Sequence, residues 1–198
     1  MPKKLEKTQS IIVAGVGGQG AITLARLILS AAWRCGFFCL QSEVHGMSQR
    51  GGAVNAQVLF DSEPVSSPTA MEGSTDVLIG MEPLETLRYL HMVKWDGVVV
   101  CALAPVRNMA DYPQEERVLA ALERVPGLLK VDTEAHAKRL GSKHAGSMAL
   151  LGAASDHLPI EADAWQSVIE ESFRTKGEKV VRTNVEAFES GRNRSHNG

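Results

Sequence analysis

Ile11-Ile12-Val13-Ala14 is a continuous apolar run that leads straight into Gly15, and it predicts a buried strand. From Ala21 the pattern changes period. Ile22, Ala25, Leu29 and Ala32 fall at helical spacing, with Leu24 and Ile28 beside them, so residues 21–34 predict a helix packed on a sheet. Gly36 stands where a helix-ending glycine belongs. Residues 37–40 read as a short buried strand. Residues 41–52 are polar, glycine-rich and without period, which predicts a loop or a broken helical turn. Val54, Ala56, Val58 and Phe60 alternate and predict a strand over 53–60.

Residues 61–74 hold two prolines among small polar residues and read as a loop. A buried strand follows at 76–81. Pro83 then opens a helix that Leu84, Leu87, Tyr89 and Leu90 continue. Asp96-Gly97 predicts a turn before a strand at 98–103. Beyond it come a short amphipathic helix at 115–124, a last strand at 128–132 and a helix at 133–140. Lys143-His144-Ala145-Gly146-Ser147 leads into an apolar helix at 148–157, and two further helices follow at 162–173 and 177–190. Gly152, Ala153 and Ala154 allow close helix packing, either inside the chain or at a subunit interface.

Strands alternating with helices predict an α/β fold: one Rossmann-like domain, a mostly parallel sheet with helices on both faces, and a helical C-terminal part. The expected domain spans residues 10–190, between a flexible N-terminal tail at 1–9 and a flexible C-terminal tail at 191–198.

Composition narrows the function. The chain has 198 residues, of which 44% are hydrophobic and 22% charged, values of an ordinary globular domain. Its formal net charge of −2 disfavours a nucleic-acid binder. Three cysteines, Cys35, Cys39 and Cys101, make neither a disulfide framework nor a four-thiolate iron–sulfur site, and they read as reduced, mostly buried thiols. The N-terminus is short and polar, and no apolar run reaches about 18 residues, so the expectation is a cytoplasmic protein with no membrane span.

The candidate chemistry centres on Gly15-Val16-Gly17-Gly18-Gln19-Gly20, a G-x-G-x-x-G turn between a strand and a helix. Glycines here let backbone approach a ligand, and the N-terminus of the next helix favours an anion. A nicotinamide or flavin site also needs an acid at the end of the second strand to hold the ribose. That strand ends at Leu40-Gln41-Ser42, so the dinucleotide reading is incomplete, and no P-loop motif is present. A second candidate is Ser42–Gly52, which sets Glu43, His45, Gln49 and Arg50 beside Gly51-Gly52. Open α/β sheets place ligands at the C-terminal ends of strands. Arg50 could fork onto a phosphate or carboxylate, while His45 reads as a structural histidine. Glu82-Pro83 closes a strand at the same edge and reads as a helix N-terminal acid. No Ser/His/Asp set, carboxylate pair or metal cluster stands out, so no residue is assigned a catalytic role. This suggests a subunit whose chemistry is done elsewhere.

The glycine turn, the stretch Ser42-Glu43-Val44-His45-Gly46-Met47-Ser48-Gln49-Arg50-Gly51-Gly52 and Glu82-Pro83-Leu84-Glu85 together resemble the gamma-type domain of 2-oxoacid:ferredoxin oxidoreductases. The Glu-Val-His-Gly-Met-x-Gln-Arg-Gly-Gly form is similar to the beta subunit of the indolepyruvate type. Leu151-Gly152-Ala153, Phe188 and Gly191-Arg192 fit as well, so the resemblance runs from Ser10 to Arg192. It implies a complex that oxidatively decarboxylates an aryl-2-oxoacid such as indolepyruvate, transfers the acyl group to coenzyme A and passes two electrons to ferredoxin. Pyruvate and 2-oxoglutarate types are the alternatives.

By the same resemblance, thiamine diphosphate, magnesium and iron–sulfur clusters belong to a partner alpha subunit, and this chain alone holds no cofactor. The resemblance puts Gly15, Gly17, Gly18, Gln19, Gly20, Glu43, His45, Arg50, Gly51 and Gly52 at a site that either binds coenzyme A or docks on the alpha subunit. Self-association is a further expectation. A free-standing nucleotide-binding oxidoreductase and a scaffold without ligand remain the readings of another class.

Overall fold

The apolar run at residues 11–14 forms the middle of β1 (Gln9–Val16), with all four side chains fully buried. The computed structural model describes residues 4–45 and 51–195. The further strands are β2 (Phe38–His45), β3 (Ala53–Asp61), β4 (Thr75–Gly80), β5 (Val93–Ala102) and β6 (Leu129–Val131). They form one sheet in the order β2-β3-β1-β4-β5-β6. β4 lies parallel to β1, β5 to β4 and β6 to β5, while β3 runs antiparallel to both β1 and β2. The reversal at β3 follows from its connection: residues 46–52 are too few for a crossover, so β2 and β3 must be antiparallel neighbours.

Residues of β1 alternate between two unequal layers. Ile11 and Val13 enter the main core with α1 (Ala21–Arg34), α5 (Ala145–Ser155), α6 (Ala162–Phe173) and α7 (Glu178–Ser195). Ile12 and Ala14 join Leu78 and Val99 in a small cluster on the opposite face. That face carries α2 (Pro83–Arg88) and α3 (Glu115–Leu122), which pack on each other. α4 (Thr133–Leu140) packs on α5. The expected α/β architecture with helices on both faces is therefore present.

α1 shows why the helical pattern was readable. It buries Leu24, Leu27 and Ile28, each stabilising by about 2 kcal/mol, and a lone helix of this length would be marginal in water. Gly36 ends it at φ 87°, where its N–H donates to Trp33 O at 2.9 Å. At the other end of the chain, α5 and α7 touch backbone to backbone. A Cβ on Gly152 would collide with the Phe188 carbonyl, and one on Gly191 with the Ala149 carbonyl. The small residues of α5 thus serve packing inside the chain. Trp165 and Phe188 stack tilted beside this contact, ring centres 5.6 Å apart.

Several elements differ from the sequence pattern. β2 does not stop at residue 40 but runs to His45, because the long β3 pairs with every residue from Phe38 to His45. Nor is it a buried strand: it lies at the sheet edge, and Phe38 is 51% exposed. Asp96-Gly97 is no turn but part of the continuous β5, where pairing with β4 shifts register between Thr75 and Val77. Glycine is required there since a Cβ would stand 2.9 Å from Thr75 O. The helix at Pro83 ends after Arg88, and Leu90–Met92 forms a separate 3-10 turn. α5 begins at Ala145, and α7 continues beyond Ser190 to Ser195 with Gly191 buried. Among the described residues no helix is long and apolar enough to cross a membrane.

Candidate functional site

The C-terminal ends of β1, β2, β4, β5 and β6 share one sheet edge, and the glycine turn sits at its centre. Gly18 and Gly20 take φ of 101° and 96°, the left-handed region where a side chain is strained. Gly20 is also the N-cap of α1 and supplies no side-chain cap, so the first N–H groups of α1 stay available. Gly15 has another reason: a Cβ would stand 2.9 Å from Gln19 Oε1 and 2.9 Å from Met81 Cβ.

Gln19 explains that crowding. Its Oε1 accepts from Val16 N–H at 2.7 Å, and its Nε2 donates to Met81 O at 2.8 Å. The side chain therefore latches the turn to the start of the β4–α2 junction, and both ends of its amide are engaged inside the chain.

Gly51 and Gly52 lie directly against the turn. Gly17 N–H donates to Gly52 O at 2.8 Å, and Gly51 N–H to Gly17 O at 3.5 Å, extending the β1–β3 ladder. Gly51 itself has φ 78°. Asn108 Nδ2 donates to Gly51 O at 2.7 Å, so the segment after β5 reaches back over this corner. Gln49 and Arg50 lie outside the described residues. Glu43 is on β2, half-buried, with Oε1 accepting from Gln41 Nε2 at 2.6 Å. His45 ends β2 opposite Val54, and its side chain lies outside the described ones.

Glu82 does cap α2: its Oε2 accepts from Glu85 N–H at 2.8 Å. Its Oε1 accepts from Tyr112 Oη at 2.5 Å and from Val106 N–H at 3.4 Å. Burial and this contact push the Tyr112 phenol up. Glu85 is 1% exposed; burial raises its carboxyl against the opposing pull of Arg88, and its Oε2 has no partner. Burial pushes the Cys101 thiol up to about 12, which rules out a thiolate nucleophile at neutral pH. Cys35 and Cys39 are only half-buried.

The open space lies on the other side of the glycine turn. A cleft of about 300 Å³ is lined by Gly18, Gln19, Thr133, Lys143, His144 and Ser147. A second of about 320 Å³ opens beyond it, against Gly20, Thr23, His144, Ser147, Lys176 and Asn184. Ser147 Oγ donates to Gln19 O at 3.2 Å and stands between the two. The N-termini of α1 and α5 both meet these clefts, with Lys143 supplying positive charge. The segment 143–147 is a lining that the sequence motifs did not single out. Its signal was a basic pair followed by Gly-Ser at a helix start. A wider groove of about 610 Å³ between α6 and α7 touches none of the motif residues. Among the described residues no three His, Cys, Asp or Glu side chains converge as a metal site.

Comparison with known proteins adds to this geometry. The model of the family described as pyruvate ferredoxin/flavodoxin oxidoreductase matches residues 10–194. The indolepyruvate oxidoreductase subunit IorB of Archaeoglobus fulgidus is 31% identical, over 96% of this chain and 96% of its own. The subunit of the same name from Thermococcus kodakarensis is 34% identical, over 93% and 95%. The 2-oxoglutarate:ferredoxin oxidoreductase of Magnetococcus marinus, solved with 2-oxoglutarate, coenzyme A and succinyl-CoA, superposes with a TM-score of 0.77 at 23% identity. The match covers 98% of this chain but 32% of that longer one.

Proposed function

Because the chain belongs to the pyruvate ferredoxin/flavodoxin oxidoreductase family, we propose that it is the cofactor-poor subunit of a complex that oxidises an aryl-2-oxoacid of the indolepyruvate type. In that reaction the oxoacid loses carbon dioxide, its acyl group passes to the coenzyme A thiol, and two electrons go to ferredoxin. The observation that carries the reading is the full-length likeness to subunits named for indolepyruvate, at 31% and 34% identity. Thiamine diphosphate, magnesium and iron–sulfur clusters belong, on this reading, to an alpha subunit.

Within the complex the two sides of the glycine turn do different work. On the β3 side Gly17 is bonded to Gly51 and Gly52 through backbone, and this corner docks on the alpha subunit. On the α5 side the clefts are open, and uncapped N–H groups of α1, the N-terminus of α5 and Lys143 suit an anionic ligand against the one opposing carboxylate among the described lining residues, that of Glu134. Coenzyme A, when bound, supplies the acyl-accepting thiol; here the chain's own groups would hold its diphosphate and orient it.

Co-purification with the alpha subunit, followed by assays with indolepyruvate, pyruvate and 2-oxoglutarate, tests the substrate. Indolepyruvate is expected to give the highest kcat/KM, and pyruvate as the best substrate overturns that choice. In the reconstituted complex, Lys143→Ala should raise the KM for coenzyme A about tenfold at unchanged kcat, the loss of one charge-assisted contact. Arg50→Ala should instead weaken subunit association.

A further inference from the structure

The two edges of the sheet are built differently. β6 is three residues long and carries Lys130, which pairs with Glu123 at 2.7 Å. A short, charged strand discourages pairing with another chain. β2 is eight residues long, holds unbroken register with β3, and contains no proline, lysine or bulge. Among the described residues its one strand neighbour is β3, so there the backbone groups on its outer side have no strand partner. On the face away from α1 it carries Phe38 and Val44, 51% and 58% exposed, with Leu40 between them. The loop after β3 is tied down on this face, through Ser42 Oγ to Pro68 O at 3.0 Å and Ala70 N–H to Gln57 Oε1 at 2.9 Å.

We propose that β2 pairs antiparallel with β2 of a second copy of this chain, about a two-fold axis through Ser42. Opposed residues of an antiparallel pair share a face, so the axis must pass through a residue, and the side chains select which one. Through Ser42, Leu40 meets Val44 of the second copy, and Gln41 meets Glu43 of the second copy. By symmetry both contacts occur twice. The Gln41 amide donates one N–H to its own Glu43 at 2.6 Å and keeps another for the second copy's carboxylate. An axis through Glu43 would set two carboxylates face to face, which is unfavourable. An axis through Gln41 would oppose Glu43 to Cys39, whose thiol cannot match the carboxylate with a strong donor. The register through Ser42 thus sets apolar against apolar and amide against carboxylate across the pair.

Analytical ultracentrifugation of the full chain tests this. The chain should dimerise, and Gln41→Glu should weaken the dimer about tenfold by placing two carboxylate pairs in opposition. The double change Gln41→Glu/Glu43→Gln should restore it, because the amide–carboxylate pairs re-form with roles exchanged. Thermal unfolding separates a misfolded variant from a dissociated one. A chain that stays monomeric, a dimer indifferent to Gln41→Glu, or a double variant that fails to recover overturns the proposal. So does amide-exchange protection of β2 that appears only on adding the alpha subunit, which would give the edge to a strand of that subunit.

Discussion

At the scale of single residues, the glycines of the turn are needed for unlike reasons. Gly18 and Gly20 are set by backbone conformation, Gly15 by the room that Gln19 occupies. Gln19 is the polar residue that holds this corner together. Gln19→Ala should cost about 1–3 kcal/mol, because it strands the Val16 N–H and the Met81 carbonyl. Urea unfolding measures this, and an unchanged midpoint would show that the latch is dispensable. Gly152 is limited by neighbouring backbone. Gly152→Ala should cost about 1–3 kcal/mol, since the methyl meets the Phe188 carbonyl and α5 and α7 must move apart. Gly15, Gly17 and Gly20 were visible as a motif. The Gln19 latch was not, since both its partners are main-chain atoms, one of them 62 residues away.

At the scale of elements, α2 carries a buried acid that should make stability depend on pH. Glu85 has its carboxyl raised by burial, with Arg88 pulling the other way and Glu82 adding to the rise. A carboxyl raised in the fold contributes stability that is complete below its unfolded value, about pH 4.3, and lost as pH rises through the higher folded value. As pH rises above about 4.3 the protein should therefore lose stability relative to Glu85→Gln, which stays neutral. Denaturant titrations of both proteins from acid to neutral pH decide the matter; parallel curves would mean that Glu85 is not perturbed. Element legibility followed burial. α1 and α6 match their expected bounds at both ends, because each buries one apolar stripe; α4 matches through its caps, Asp132 accepting from Ala135 N–H and Gly141 ending it at φ 60°. β2 was misread past Leu40, because an edge strand alternates polar and apolar residues without burying either set.

At the scale of the whole molecule, α1, α5, α6 and α7 share one apolar cluster with β1, β3, β4 and β5. Unfolding should therefore be a single cooperative transition, with near- and far-ultraviolet circular dichroism melting together. Separate melts would mean that the α5–α7 layer folds on its own. The sequence by itself determined the α/β class, the glycine motif after the first strand and the family likeness. Those signals are local: period, glycine spacing and short motifs each lie within a few neighbouring residues. Only the tertiary structure decided that β3 runs against its neighbours, that Gly51-Gly52 closes one side of the turn, and that the open clefts lie on the other side beside Lys143 and Ser147. Each of these joins segments far apart in the chain, such as Gln19 with Ser147. No local pattern encodes such pairings; they are set when the sheet order and the helix layers pack around one core.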